Sequence, residues 1–176
     1  VSARSKARKR ALDILYAADL RGIPVSEAMA AAIDLRSIQN EGSLNEYTVT
    51  LVTGVTSHQA DIDDLLSNYS LGWSLERMPP VDRGILRIGV YEILWCDETP
   101  DAVAVAEAVA LAVDLSTDES ASFVNGLLGR VLEMKPRLGV APEQVERAPE
   151  TIPETIPETI PETIPETIPE SGLQPL

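Results

Sequence analysis

The sequence predicts an all-α domain, and three observations carry that reading. Apolar residues make up 44% of the chain but aromatics only 4%, so the core must come from Leu, Val, Ile and Ala. An alanine-rich, aromatic-poor interior suits helix packed on helix. Apolar positions recur at spacings of three and four, the period of one helix face, and no segment shows the period-two alternation of a strand.

Residues 3–21 read as the first helix, with Ala7, Ala11, Ile14, Leu15 and Ala18 on one face and Arg8 and Arg10 pointing away from its centre. Gly22 is a natural stop, and Pro24 suits the first turn of a second helix reaching about Arg36. Asn40, Gly42 and Ser43 form a loop. Ser43-Leu44-Asn45-Glu46 has the pattern of a capping box. The helix it opens is expected to be long, with Leu44, Tyr47, Leu51, Val52, Val55, Ile62, Leu65, Leu66 and Tyr69 as its stripe. Gly54 in its interior costs ~1 kcal/mol relative to alanine, so another backbone is expected to approach there. Ser70 to Pro80 is a connector. Asp82 falls in the first turn of a helix running to about Cys96, where its charge suits the positive helix end.

After a turn at Asp97 to Pro100, the stripe Val103, Ala106, Val109, Ala110 and Val113 gives a helix ending near Leu115. Ser116-Thr117-Asp118-Glu119 offers caps for a last helix with Phe123, Val124, Leu127, Leu128 and Val131, stopping before Pro136. The total is six main helices, or seven with a short turn around Leu75 to Met78. From Thr151 to Glu170 the tetrapeptide Thr-Ile-Pro-Glu occurs five times in succession. Proline at every fourth residue removes helical amide donors, and the isoleucines are too sparse to close a core. Residues 1–140 are therefore read as the folded domain and 141–176 as a disordered acidic tail.

Net charge is −14, which argues at first against a nucleic-acid partner, but its distribution argues the other way. Residues 1–10 carry Arg4, Lys6, Arg8, Lys9 and Arg10 and no acid, whereas residues 11–140 carry 8 basic and 20 acidic side chains. A basic end on an acidic body calls for an anionic partner. Those cations also crowd the positive end of a helix, a strain that phosphates would relieve. The arm lacks the bulky apolar anchors of a membrane-surface helix.

Catalytic chemistry finds no constellation. There is no Gly-rich phosphate loop, no zinc-ligand spacing and no Ser/His/Asp set. Cys96 reads as a small buried hydrophobe, His58 as a packing residue, and Asp61, Asp63 and Asp64 as a solvated helix face rather than a metal site. No cofactor is expected. No apolar run reaches a membrane span and no signal-peptide core follows the basic start, so the protein is expected in the cytoplasm.

At this point the residues resemble a known family. The run Trp73-Ser74-Leu75-Glu76-Arg77-Met78-Pro79-Pro80-Val81-Asp82-Arg83-Gly84-Ile85-Leu86-Arg87-Ile88, continuing to Tyr91-Glu92-Ile93-Leu94, is similar to the central pattern of the bacterial transcription antitermination factor NusB family. So are Val105-Ala106-Glu107-Ala108-Val109, Leu111-Ala112, Ser120, and Phe123-Val124-Asn125-Gly126-Leu127-Leu128, and the basic start with Ala11, Leu12 and Leu15-Tyr16. Each string is weak alone; their order and spacing are specific, and their Gly and Asp variants suggest an actinobacterial member.

The resemblance implies two three-helix bundles packed across one another and a non-enzymatic protein. It implies binding to the boxA element of nascent ribosomal RNA leaders as a single strand, jointly with the small-subunit ribosomal protein NusE. The setting is an RNA polymerase antitermination complex with other Nus factors. By position, the RNA surface would comprise Arg4, Lys6, Arg8, Lys9, Arg10 and Tyr16, with Glu119 and Phe123 at the start of the last helix. Phe123 could stack an unpaired base and an acidic side chain accept from exocyclic amines; core packing is the other reading of Phe123. Asp82, Arg83 and Tyr91 would face NusE or a second copy of the chain. Ala106, Val113 and Ser122 depart from the family pattern, which often has Asn or Asp, Lys, and Lys or Gly there. Two other readings stay open: the NusB-like module of a ribosomal RNA methyltransferase system, and a protein-only helical adaptor or homodimer.

Overall fold

The computed structural model describes residues 2–70 and 73–139, which lie in one compact unit, Val1–Gln144. The expected acidic tail lies outside the described residues. Helix α1 (Ala3–Arg21) is opened by Ser2, whose hydroxyl accepts from the Ser5 amide, and is closed by Gly22 in the left-handed region at φ 63°. Helix α2 (Val25–Ile38) starts one residue later than expected, with Pro24 at the cap position rather than in the first turn.

Helix α3 (Glu46–Ser57) is capped by Asn45, whose side chain accepts from the Tyr47 amide. The capping box expected at Ser43 therefore does not form; Asn is as good a cap as Ser, and it starts the helix two residues later. The single long helix expected to follow is broken at His58 into α3 and α4 (Gln59–Tyr69). The sequence approaching the break is rich in β-branched residues, and the Thr50 and Thr56 hydroxyls donate back to the Glu46 and Val52 carbonyls, a pattern that bends helices. The His58 ring stacks 4.2 Å from that of Trp95, which anchors the corner.

A 3-10 turn at Leu75–Arg77 leads into α5 (Pro80–Trp95), where every residue from Gly84 to Trp95 is buried. A helix apolar on nearly all sides belongs at the centre, and α5 packs against α1, α3, α4, α6 and α7. Gly54 of α3 faces it: a Cβ there would lie 1.9 Å from the Tyr91 ring. The close approach expected at Gly54 is thus made by a ring, not a backbone.

Helix α6 (Asp101–Leu115) corrects its expected stripe. Its buried face is Ala104, Ala108, Leu111 and Ala112, while Val103 and Val113 are 43% and 59% exposed. Alanines let α6 come close to α5, whose Gly89 would place a Cβ 3.5 Å from that of Ala108. Helix α7 (Asp118–Leu138) runs through Pro136 to Gly139 instead of stopping before the proline. So near its C-terminal end, the missing amide takes only one bond from the ladder. The described residues thus form seven α-helices and one 3-10 turn, with no strand. Helices α2 and α3 each pack on α1, α5 to α7 pack together, and α4 lies against α5 and α7. Among the described residues, no helix is long and apolar enough to cross a membrane.

Candidate nucleic-acid interface

The basic arm is the first three turns of α1, and the fold divides its cations into two kinds. Lys6, Lys9 and Arg10 are exposed on the side of α1 away from the core. Lys6 and Lys9 form no ion pair among the described residues, and Arg10 stands 3.9 Å from the exposed Glu41. Arg4 pairs with Glu98 at 3.0 Å, with both side chains largely exposed, and its guanidinium lies over the Tyr47 ring. Exposed pairs of this kind contribute little and exchange readily for a phosphate.

Arg8 is different. It is 2% exposed, and its guanidinium donates to both carboxylate oxygens of Glu92, itself 1% exposed. Around this pair stand Glu107, 3.4 Å from Arg8, and the Tyr47 hydroxyl, which donates to Glu92 and lies 2.9 Å from the Thr99 hydroxyl. Burial works against the Arg8 charge, but the hydrogen bond and attraction of Glu92 outweigh it and raise the guanidinium above its ordinary value. Burial, reinforced by the Glu92 carboxylate, pushes the Tyr47 hydroxyl above its ordinary range. The expectation that Arg8 points away from the core is therefore corrected: it ties α1 to α5. A carboxylate inside a central helix needs a cation, and the sequence could flag Glu92 as needing one without saying which.

The other expected RNA residues lie further along. Tyr16 is half-buried on α1, and Glu119 is exposed in the first turn of α7. Phe123, one turn on, is half-buried, with its ring 5.6 Å from that of Trp73. It is neither wholly core nor wholly free. Helices α1 and α5 run antiparallel, since Arg8 meets Glu92 while Asp19 meets Arg83. The arm therefore stands at the C-terminal end of α5. Glu119 and Phe123 stand at its N-terminal end, where the Ser120 hydroxyl donates to Asp82 at 2.7 Å.

The three residues expected to face a protein partner have internal partners. Asp82 is 2% exposed and clasps Ser120. Arg83 donates to Asp19 and to the Leu75 carbonyl. Tyr91 is 3% exposed, against Gly54 and the His58 ring. This end also carries a solvent-open cleft of about 350 Å³ lined by Asp19, Leu75, Glu76, Arg83 and Arg87. Asp63, expected on a solvated face, pairs with Arg87 at 2.8 Å. No group of residues that could hold a metal ion occurs among the described residues.

Known proteins resemble this chain in both sequence and fold. The sequence model of the NusB family matches residues 5–133. The transcription antitermination protein NusB of Nocardioides sp. is 60% identical over 138 residues, 78% of this chain and 99% of that protein. That of Thermobifida fusca is 58% identical over 137 residues, 78% of this chain and 94% of that protein. Both are actinobacterial. T. maritima NusB matches the fold with a TM-score of 0.64 at 29% identity, covering 75% of this chain and 92% of that one. A chain from a crystal structure of antitermination factors NusB and NusE in complex with dsRNA gives a TM-score of 0.64 at 26% identity, over 74% of this chain and 96% of that one.

Proposed function

The chain belongs to the NusB family, and on that footing we propose that its exposed arm binds boxA-type single-stranded RNA of ribosomal RNA leaders, jointly with NusE. It is a transcription antitermination protein and not an enzyme. In this reading it works in the cytoplasm, within an antitermination complex on RNA polymerase with other Nus factors. The observation that carries the reading is the row Lys6, Lys9 and Arg10, exposed on one side of α1 of an otherwise acidic body. Exposed cations at a helix start, held at most in loose surface pairs such as Arg10 with Glu41, favour a phosphate backbone.

NusE is a basic ribosomal protein in this reading, and the acidic body suits it electrostatically. We place its docking surface at the N-terminal end of α5, on the cleft edged by Asp19, Glu76 and Arg83. Asp82 supports that surface from inside, whereas Tyr91 lies nearer the C-terminal end of α5, against Gly54, His58 and Trp95. Gel shifts with boxA-type and scrambled RNA, each with and without NusE, test the reading. Preference for the boxA-type strand, sharpened by NusE, is the expected result. Equal binding of both RNAs with NusE present contradicts it.

A further inference from the structure

Arg4 is exposed at the start of α1, yet its guanidinium is gripped on three sides. It lies 4.9 Å from the centre of the Tyr47 ring, and it donates through Nη1 to the Glu98 main-chain carbonyl at 3.2 Å and through Nη2 to the Glu98 carboxylate at 3.0 Å. Two of these supports are fixed. The Tyr47 ring is held because its hydroxyl is engaged with Glu92 and Thr99. The carbonyl belongs to the turn between α5 and α6, whose Thr99 is buried and donates its amide to the Cys96 carbonyl at 3.1 Å. The third support is loose: the Glu98 side chain is 66% exposed and can swing into solvent. Two other carboxylates near the arm are committed elsewhere. Glu41 accepts from Arg36 at 3.0 Å and reaches only 3.9 Å from Arg10, and Glu107 is held by the Ser5 hydroxyl and Arg8.

We propose that the Glu98 carboxylate stands in for an RNA phosphate in the free protein, and that its competition for Arg4 holds down the affinity of the arm for nucleic acid. To a guanidinium, a carboxylate and a phosphodiester are the same kind of partner: two acceptor oxygens sharing one negative charge. When a strand binds, the Glu98 side chain swings out and a phosphate takes its place. The ring and the carbonyl meanwhile keep the guanidinium aimed, so Arg4 is already ordered for the exchange. The competition acts on every sequence alike, because phosphates carry no sequence information. Glu98 thus weakens sequence-independent binding and leaves base contacts and the protein partner to decide which strand is held. The inference rests on the RNA-binding reading and names a residue that limits it.

Glu98→Gln removes the charge and keeps the carbonyl. BoxA-type and scrambled single-stranded RNAs of equal length are titrated against the full chain at low and at moderate salt. Glu98→Gln binds both RNAs roughly 1.5- to 5-fold more tightly than the parent at low salt, the range typical of an exposed ion pair. The gain shrinks as salt screens the carboxylate. Glu41→Gln gains less, because that carboxylate serves Arg36. Glu27→Gln makes the same change of net charge in the first turn of α2, at the far end of α1 from the arm, and leaves affinity as in the parent. In an Arg4→Ala background, Glu98→Gln loses most of its gain, since no guanidinium remains to compete for. Thermal melts confirm that each variant is folded.

Unchanged or weaker RNA binding by Glu98→Gln overturns the inference, and makes the carboxylate a bystander or a support for Arg4. An equal gain from Glu27→Gln, or a full gain without Arg4, likewise overturns it and leaves net charge as the cause. In each of these cases the arm still binds RNA. Absence of salt-dependent RNA binding in the parent protein would instead remove the RNA-binding reading itself, and this inference with it.

Discussion

Replacing Arg8 with alanine would leave the Glu92 carboxyl without its cation in a site 1% exposed to solvent. Breaking one side of a buried pair costs about 3–5 kcal/mol, because the remaining charge is uncompensated. Arg8→Ala should therefore lower folding stability by that amount in urea denaturation while leaving the salt dependence of RNA binding unchanged; the opposite pattern would return Arg8 to the RNA surface. Tyr47 gives the same cluster a pH signature. Its hydroxyl is held neutral above the ordinary value of 10.0, so the unfolded chain ionises first. Its contribution is whole below pH 10.0 and is lost as pH rises beyond that. Tyr47→Phe should lose stability more gently than the parent over that alkaline range. The sequence showed five cations alike; only the packed fold separates the guanidinium that neutralises Glu92 from those that face water.

At the level of elements, two glycine substitutions of opposite sign test the packing. A Cβ at Gly54 would sit 1.9 Å from the Tyr91 ring, which is 3% exposed and hemmed in by His58 and Trp95. The ring cannot yield, so overpacking at about 1–3 kcal/mol outweighs the ~1 kcal/mol gained in helix propensity. Gly129 of α7 has nothing within 4 Å of such a Cβ. Gly129→Ala should therefore stabilise by about 0.5–1 kcal/mol and Gly54→Ala destabilise, as read from paired melts. Helix α1 was legible to the residue, because its stripe and its glycine stop agree. The face of α6 was not: alanine and valine surround that helix, so periodicity offers no preference, and the approach of Gly89 on α5 decides. The break at His58 was hidden for a related reason, since the apolar stripe continues in register across it. The residues proposed for the two ends of the RNA surface can be named from the sequence, but not their separation, which the antiparallel packing of α1 on α5 sets.

Across the whole molecule, that separation sets the length of the ligand. Helix α5 has 16 residues and so spans about 24 Å. A stacked strand at roughly 3.4 Å per nucleotide needs about seven nucleotides to reach from the arm to Phe123. Shorter RNAs should keep the salt dependence of the arm and lose any contribution from the far end, which a length series of oligonucleotides would reveal. The central claim is that the exposed cations of α1, without Arg8, hold the RNA backbone. The slope of log K against log salt for a boxA-type single strand tests it most directly. Four cations on phosphates give a slope of roughly −2.8, and Lys6→Ala with Lys9→Ala should flatten it to roughly −1.4. A slope that the double substitution leaves unchanged would contradict the account, because the RNA would then be bound elsewhere on the molecule.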